Sequence, residues 1–224
     1  KTLSINYNPS KTNVILGDET EVVYGDGFIG DTLLGCTFRI SPKSFYQVNT
    51  PQAEVLYSIA AEKAFGAADE TAEKPVLLDL YCGTGTIGLT MAGRCSRLYG
   101  VEIVPEAVED AKRNAAANGI DNAAFLCGDA ADAAARLRAD GVKADIILVD
   151  PPRKGLSEAL IQTIADFDPE KIVYISCDPA TLARDCARFA EKGWYIAEGV
   201  QPVDLFPRTA HVENVCLLKK PENA

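Results

Sequence analysis

A chain of 224 residues, 47% hydrophobic and 24% charged, is long enough to bury one large core with at most a small second domain. Its 22 basic and 32 acidic side chains leave a net charge of −10, a poor footprint for a free-standing nucleic-acid binder, so a nucleic-acid partner must find most of its phosphate contacts elsewhere. Seven scattered cysteines without any Cys-x-x-Cys, and a single histidine, argue against a disulfide framework, a four-thiolate cluster and a zinc site. No apolar run approaches membrane-spanning length and the N-terminus has no signal-peptide core, so the cytoplasm is the expected compartment.

From Lys1 to about Ile40, short β-prone runs (Asn13 to Leu16, Glu21 to Tyr24, Thr37 to Ile40) are cut by Gly17, Gly25, Gly27, Gly30 and Gly35. They read as a few strands of a small sheet, and their abrupt opening suggests that residues 1–45 are the remnant of a larger N-terminal or central region. Thr50 is the expected N-cap and Pro51 the first residue of a helix striped by Val55, Leu56, Ile59 and Ala60; Gly66 to Lys74 reads as a linker. From Pro75 onward the alternation is regular. Strands are expected at Val76 to Leu80, Arg97 to Glu102, Ala123 to Leu126, Asp145 to Val149, Ile172 to Ser176, Trp194 to Val200 and Val212 to Leu218. Helices are expected at Ile87 to Arg94, Pro105 to Asn118, Ala130 to Arg138, Glu158 to Phe167 and Pro179 to Glu191. Apolar strands separated by amphipathic helices predict a mostly parallel sheet covered on both faces, with the last two strands paired antiparallel, over a domain spanning residues 46–224.

Asp79-Leu80-Tyr81-Cys82-Gly83-Thr84-Gly85-Thr86-Ile87-Gly88 joins the first of these strands to its helix, where glycine lets the backbone approach a ligand. Gly83, Gly85 and Gly88 also spell the dinucleotide fingerprint, which keeps a nicotinamide oxidoreductase as the rival reading. A carboxylate at Asp79 suits the cationic end of S-adenosylmethionine better than a pyrophosphate. Glu102 ends the second strand, where it can accept ribose hydroxyls. Asp129, after the third, can accept from an adenine amine or simply cap the next helix. Acidic residues at three successive strand ends favour a class I S-adenosylmethionine methyltransferase, a Rossmann-like α/β fold.

Asp150-Pro151-Pro152-Arg153-Lys154-Gly155 follows the fourth strand, the prolines stiffening a turn that holds Asp150 at the sheet's rim. Cys177 ends the fifth strand beside a helix that Asp178 caps and Pro179 starts. It is either a buried core cysteine or a nucleophile whose ionisation the helix terminus favours and Asp178 opposes. A thiol at that rim suits methylation of a ring carbon: a thiolate adding to C6 of uracil turns C5 into an enolate carbon, and a base must later take the C5 proton. Glu213, at the start of an antiparallel last strand, lies at the same rim and is the candidate base; otherwise it pins the hairpin, the role expected for His211.

Phe45-Tyr46-Gln47-Val48-Asn49, Asp79 to Gly85, Asp150-Pro151-Pro152-Arg153, Ser176-Cys177-Asp178-Pro179-Ala180-Thr181 and His211-Val212-Glu213 together resemble the bacterial RNA uracil-5-methyltransferases, particularly the 23S ribosomal RNA branch. The resemblance implies Cys177 as nucleophile, Glu213 as base, and Gln47, Tyr81, Glu102 and Asp150 as contacts to S-adenosyl-L-methionine, with Thr86 standing where relatives often carry asparagine. It also implies a monomer that forms 5-methyluridine in RNA, 23S ribosomal RNA before transfer RNA, without metal or iron–sulfur cluster. The RNA-binding N-terminal domain common in the family is missing from this chain, which fits its acidic balance. A non-catalytic cofactor-binding module is the remaining alternative.

Overall fold

The computed structural model describes residues 1–9, 11, 15–17, 19–67 and 73–221. Two antiparallel ribbons come first, β1 (Leu3–Tyr7) with β2 (Glu19–Tyr24) and β3 (Ile29–Leu33) with β4 (Cys36–Ile40), followed by α1 (Thr50–Phe65). The alternating part then runs β5 (Val76–Leu80), α2 (Thr86–Met91), β6 (Arg97–Glu102), α3 (Pro105–Ala117), β7 (Ala123–Cys127), α4 (Ala130–Ala139), β8 (Ile146–Val149), α5 (Glu158–Phe167), β9 (Lys171–Ser176), α6 (Pro179–Ala190), β10 (Tyr195–Val203) and β11 (Glu213–Lys219). The run expected from Asn13 to Leu16 and the linker expected from Gly66 to Lys74 lie partly outside the described residues. Among the described residues no helix is long and apolar enough to cross a membrane.

Strands β5 to β11 form one seven-stranded sheet in the order β10-β11-β9-β8-β5-β6-β7. β7, β6, β5, β8 and β9 run parallel, and β11 lies antiparallel between β9 and β10. Alternate residues feed two cores. Leu77, Ile146, Leu148, Val173, Ile175, Val215 and Leu217 face the side that holds α1 and α2. Leu78, Ile147, Val149, Ile172, Tyr174, Cys216 and Leu218 face α4, α5 and α6. Each fully buried Leu- or Ile-sized side chain contributes about 1.5–3 kcal/mol, which is why strands buried on both faces read as unbroken apolar runs. Because β6 and β8 flank β5 on opposite sides, the crevice at the carboxyl ends of β5 and β8 is the switch point where ligands bind in open α/β sheets.

Three details differ from the sequence expectation. The helix expected to reach Arg94 stops at Met91, and a 3-10 turn over Ala92–Arg94, containing the poor helix former Gly93, completes it. The cap of α1 is Asn49, not Thr50: the Asn49 carbonyl accepts from the Ala53 N–H, its side-chain amide donates to the Leu205 carbonyl at 2.8 Å, and the Thr50 hydroxyl donates to Asp31 at 2.7 Å. Leu33, Phe38 and Ile40, on β3 and β4, are buried in the same core as α1 and the sheet, so this ribbon shares the interior of the alternating part. Asn118 and Asn114, on α3, clasp the backbone of β4: their side-chain oxygens accept from the N–H groups of Thr37 and Arg39, and their amide nitrogens donate to the carbonyls of the same residues.

Candidate active site

The glycine loop is built around strain. Tyr81 leaves β5 with φ 71°, a left-handed conformation costly for a residue with a side chain, and Gly83 (φ 54°) and Gly85 (φ 81°) follow in the same region. The N–H groups of Tyr81 and Cys82 both donate to the Val101 carbonyl, which ties the turn to β6. Glu102, at the end of β6, accepts from the Gly83 N–H (3.1 Å) with one oxygen and from the Val104 N–H (2.9 Å) with the other. Each of those oxygens keeps a second lone pair toward the crevice or solvent.

Asp79 sits near the end of β5, beside the glycine loop. It is 1% exposed, and its Oδ2 accepts the Gly88 N–H at 3.0 Å, so it also shapes the loop. Burial raises its carboxyl to about 7, against the opposing pull of the Gly88 N–H, and the Glu102 charge adds to the rise. A Cβ on Gly88 would stand 2.7 Å from that carboxylate, so glycine is required there by contact.

Gln47 lies in a tethered segment. On either side of it, the Tyr46 hydroxyl donates to Asp31 at 3.1 Å and the Asn49 amide holds Leu205. Gln47 itself is buried, and its Oε1 has no hydrogen-bond partner. The same is true of Asp79 Oδ1 and Thr84 Oγ1. Buried polar atoms without partners cost about 1–3 kcal/mol each, and two of them within the glycine-loop segment, Asp79 Oδ1 and Thr84 Oγ1, fit a polar ligand there. Thr86 opens α2 and is buried. Asp129 caps α4 through Oδ1, taking the N–H groups of Ala131 (2.8 Å) and Asp132 (3.4 Å).

The other half of the site is set by strand pairing. Asn214 of β11 lies opposite Ser176 of β9, and one further step in that register brings Glu213 beside Cys177 on the same face. Asp178 caps α6 as its sequence position predicts, accepting from Ala180 (2.8 Å) and Thr181 (3.0 Å). The balance left open at Cys177 resolves upward: burial and then the charges of Glu213 and Asp150 raise its thiol, with Arg153 opposing. Burial raises Glu213, again with Arg153 opposing. Asp150, half-buried, is raised by burial, by Glu213 and by Asp79. Cys177, Glu213, Asp150 and Arg153 therefore form one electrostatic unit next to the glycine loop. Among the described residues no group of three or more His, Cys, Asp and Glu could hold a metal ion.

The profile of the tRNA (Uracil-5-)-methyltransferase family matches residues 28–221. The chain belongs to that family. It is 51% identical over 219 residues to an uncharacterized RNA methyltransferase of Halalkalibacterium halodurans, covering 98% of this chain and 46% of that protein. A similar protein of Lactiplantibacillus plantarum is 51% identical over 215 residues, with 96% and 46% covered. The chain thus spans about half the length of the curated relatives it matches. Among solved structures, the Pyrococcus abyssi tRNA (uracil-54, C5)-methyltransferase, in complex with S-adenosyl-L-homocysteine, superposes with a TM-score of 0.75 at 32% identity, covering 96% of this chain and 50% of that one. An S-adenosylmethionine-dependent methyltransferase of Agrobacterium tumefaciens shares the fold, with a TM-score of 0.66 at 17% identity over 91% of this chain and 74% of that one.

Two residues of this uracil-5-methyltransferase family member join the site without having been singled out for it. Tyr57 sits inside the apolar stripe of α1, which disguises it as core; burial and then the Asp150 charge raise its phenol, so it faces the end of β8. Arg153 reads in sequence as a scattered surface charge, yet it is the cation acting on both Cys177 and Glu213.

Proposed function

We propose that this chain is the catalytic part of an S-adenosyl-L-methionine-dependent RNA methyltransferase that forms 5-methyluridine, with 23S ribosomal RNA as substrate, through a covalent Cys177 adduct at C6 of uracil. The single observation that supports the reading is the register of β11 on β9, in which Asn214 faces Ser176 and the next residues outward are Glu213 and Cys177.

Gln47, Asp79, Tyr81, Gly83, Gly85, Thr86, Glu102, Asp129 and Asp150 would hold the cofactor, with Asp79 also shaping the loop through Gly88. When bound, S-adenosyl-L-methionine supplies an electrophilic methyl group. Cys177 is raised and therefore largely a thiol in the ligand-free protein, so it must lose its proton as substrate binds. The thiolate adds to C6 and C5 becomes nucleophilic; after C5 is methylated, Glu213 takes the C5 proton, the C6–S bond breaks and Cys177 is released. A carboxylate raised by burial is the better base for that last step. The uridine must leave its stack to reach Cys177 at the end of β9.

RNA containing 5-fluorouridine tests the mechanism. The intact chain should form an adduct stable to denaturing electrophoresis, and Cys177→Ala should form none. No adduct with either protein, with RNA docking confirmed, would favour a non-catalytic binding module. Stabilisation by a reduced nicotinamide but not by S-adenosyl-L-homocysteine would favour an oxidoreductase. A transfer-RNA substrate is the second reading, favoured by the likeness to the Pyrococcus enzyme. Mapping 5-methyluridine in ribosomal and transfer RNA after deletion of the full-length gene separates the two. Residues 1–45 are read as part of the region that joins this catalytic domain to an RNA-binding part, and the catalytic domain as a cytoplasmic monomer.

A further inference from the structure

We propose that His211 is a positioning residue: as a neutral imidazole accepting at Nε2, it holds the Arg153 guanidinium across the end of β9, where one fixed positive charge bears on both Cys177 and Glu213. The inference rests on the reading of Cys177 as nucleophile and goes beyond it by giving the chain's one histidine a part in the reaction.

The geometry is topological before it is electrostatic. β9 lies between β8 and β11 in the sheet. Arg153 belongs to the turn that follows β8, and His211 to the segment that leads into β11. The contact between them, 3.0 Å from Arg153 Nη2 to His211 Nε2, therefore spans the carboxyl end of β9, where Cys177 sits. Both anchors are fixed. The Leu156 N–H donates to buried Asp185 at 2.8 Å and Arg184 donates to the Lys154 carbonyl at 2.8 Å, so the Arg153 turn is fastened to α6. On the other side, the His211 N–H donates to the Thr209 hydroxyl at 3.2 Å, and Glu213 is two residues on.

Arginine can only donate, so the contact assigns the lone pair to Nε2 and the ring proton to Nδ1. No carboxylate among the described residues lies within ion-pair distance of Arg153, so its charge is not committed elsewhere. The charged groups acting on Cys177 are Glu213 from β11, Asp150 from the turn after β8, and Arg153, the one cation among them. Without it, a thiolate would form against two carboxylates alone.

The test is the pH dependence of Cys177 alkylation by iodoacetamide, followed by peptide mass spectrometry on the intact chain without RNA or cofactor. Exposed Cys127, on β7, serves as the internal reference. Arg153→Met should raise the Cys177 midpoint by about one pH unit, slowing alkylation about tenfold below it. Arg153→Lys should shift it less, because the charge remains. His211→Leu should move it in the same direction as Arg153→Met. His211→Gln, whose amide oxygen can still accept, should stay near the parent. An unchanged midpoint in His211→Leu, with Cys127 reacting as before, overturns the inference. Failure of the functional reading would show separately, as loss of the 5-fluorouridine adduct with the alkylation shifts intact.

Discussion

Asn214 and Ser176 face each other across β11 and β9, and the next residues outward on the two strands are Glu213 and Cys177. A slip by one residue would turn Glu213 to the opposite face of the sheet. The proposed chemistry therefore depends on the pairing of the last strand as much as on the identity of its first residue.

Glu213→Gln should separate addition from elimination. The amide cannot take the C5 proton, so turnover should fall by about 10²–10⁴-fold while a methylated Cys177–RNA adduct accumulates with ordinary uridine. Denaturing electrophoresis with labelled RNA reads this directly. Rapid turnover without adduct would assign the base elsewhere.

Asp79 makes a prediction about stability. Its folded pKa, about 7, lies above the ordinary 3.8 because of burial, so the folded state keeps a proton that the unfolded chain releases between about pH 4 and 7. The carboxyl's contribution is thus fully present below the unfolded value and is lost as pH rises through the folded one, at up to about 1.4 kcal/mol per unit. Asp79→Asn removes this slope. Relative to the parent, the variant should gain stability steadily from pH 4 to 7, measured by urea unfolding. Parallel curves would refute the assignment.

Gly88→Ala places a methyl 2.7 Å from Asp79 Oδ2 and 3.0 Å from Leu98 Cδ1, both deep in the fold. A cost of about 1–3 kcal/mol is expected from such overpacking, with weakened S-adenosyl-L-homocysteine binding because the loop must shift. Thermal denaturation with and without that ligand checks both parts.

Tyr174→Phe should cost about 1–2 kcal/mol, since it strips from buried Asp185 a hydroxyl at 2.9 Å while leaving Leu156 and Arg184 in place. Asp185→Ala should cost more, about 3–5 kcal/mol, because Arg184 and Arg188 lose their shared carboxylate and the Arg153 turn loses its fastening. Equal effects of the two changes would mean that Asp185 does not organise the group.

With a net charge of −10, the chain should bind RNA only weakly, with Kd above about 1 µM at physiological salt. Nanomolar binding in a filter assay at that salt would contradict this.

The alternating half of the chain was legible because its strands are buried on both faces: a run such as Ile146-Ile147-Leu148-Val149 admits few other readings. The rim residues followed, since parallel strands end on one edge and a cap such as Asp178 announces its helix. β1 and β3 were not read as strands. Ile29-Gly30-Asp31-Thr32-Leu33 carries a glycine and an aspartate in the middle, and its placement depends on α3 and α1, which no local pattern reveals. The bond from the Gly88 N–H to Asp79 was hidden for a related reason: sequence gives the place of Asp79 on β5 but not the fold of the turn that follows. Tyr57 and Arg153 act through partners in distant segments, so only the tertiary arrangement exposes their part.

The clasp of Asn114 and Asn118 on β4 has a consequence outside catalysis. Two helix amides occupy the N–H and C=O groups that the outer edge of this ribbon would otherwise offer to a foreign strand. A short apolar ribbon of this kind is the usual template for aggregation and domain swapping. Replacing either asparagine with leucine should therefore show itself first as self-association on concentration, before any loss of secondary structure.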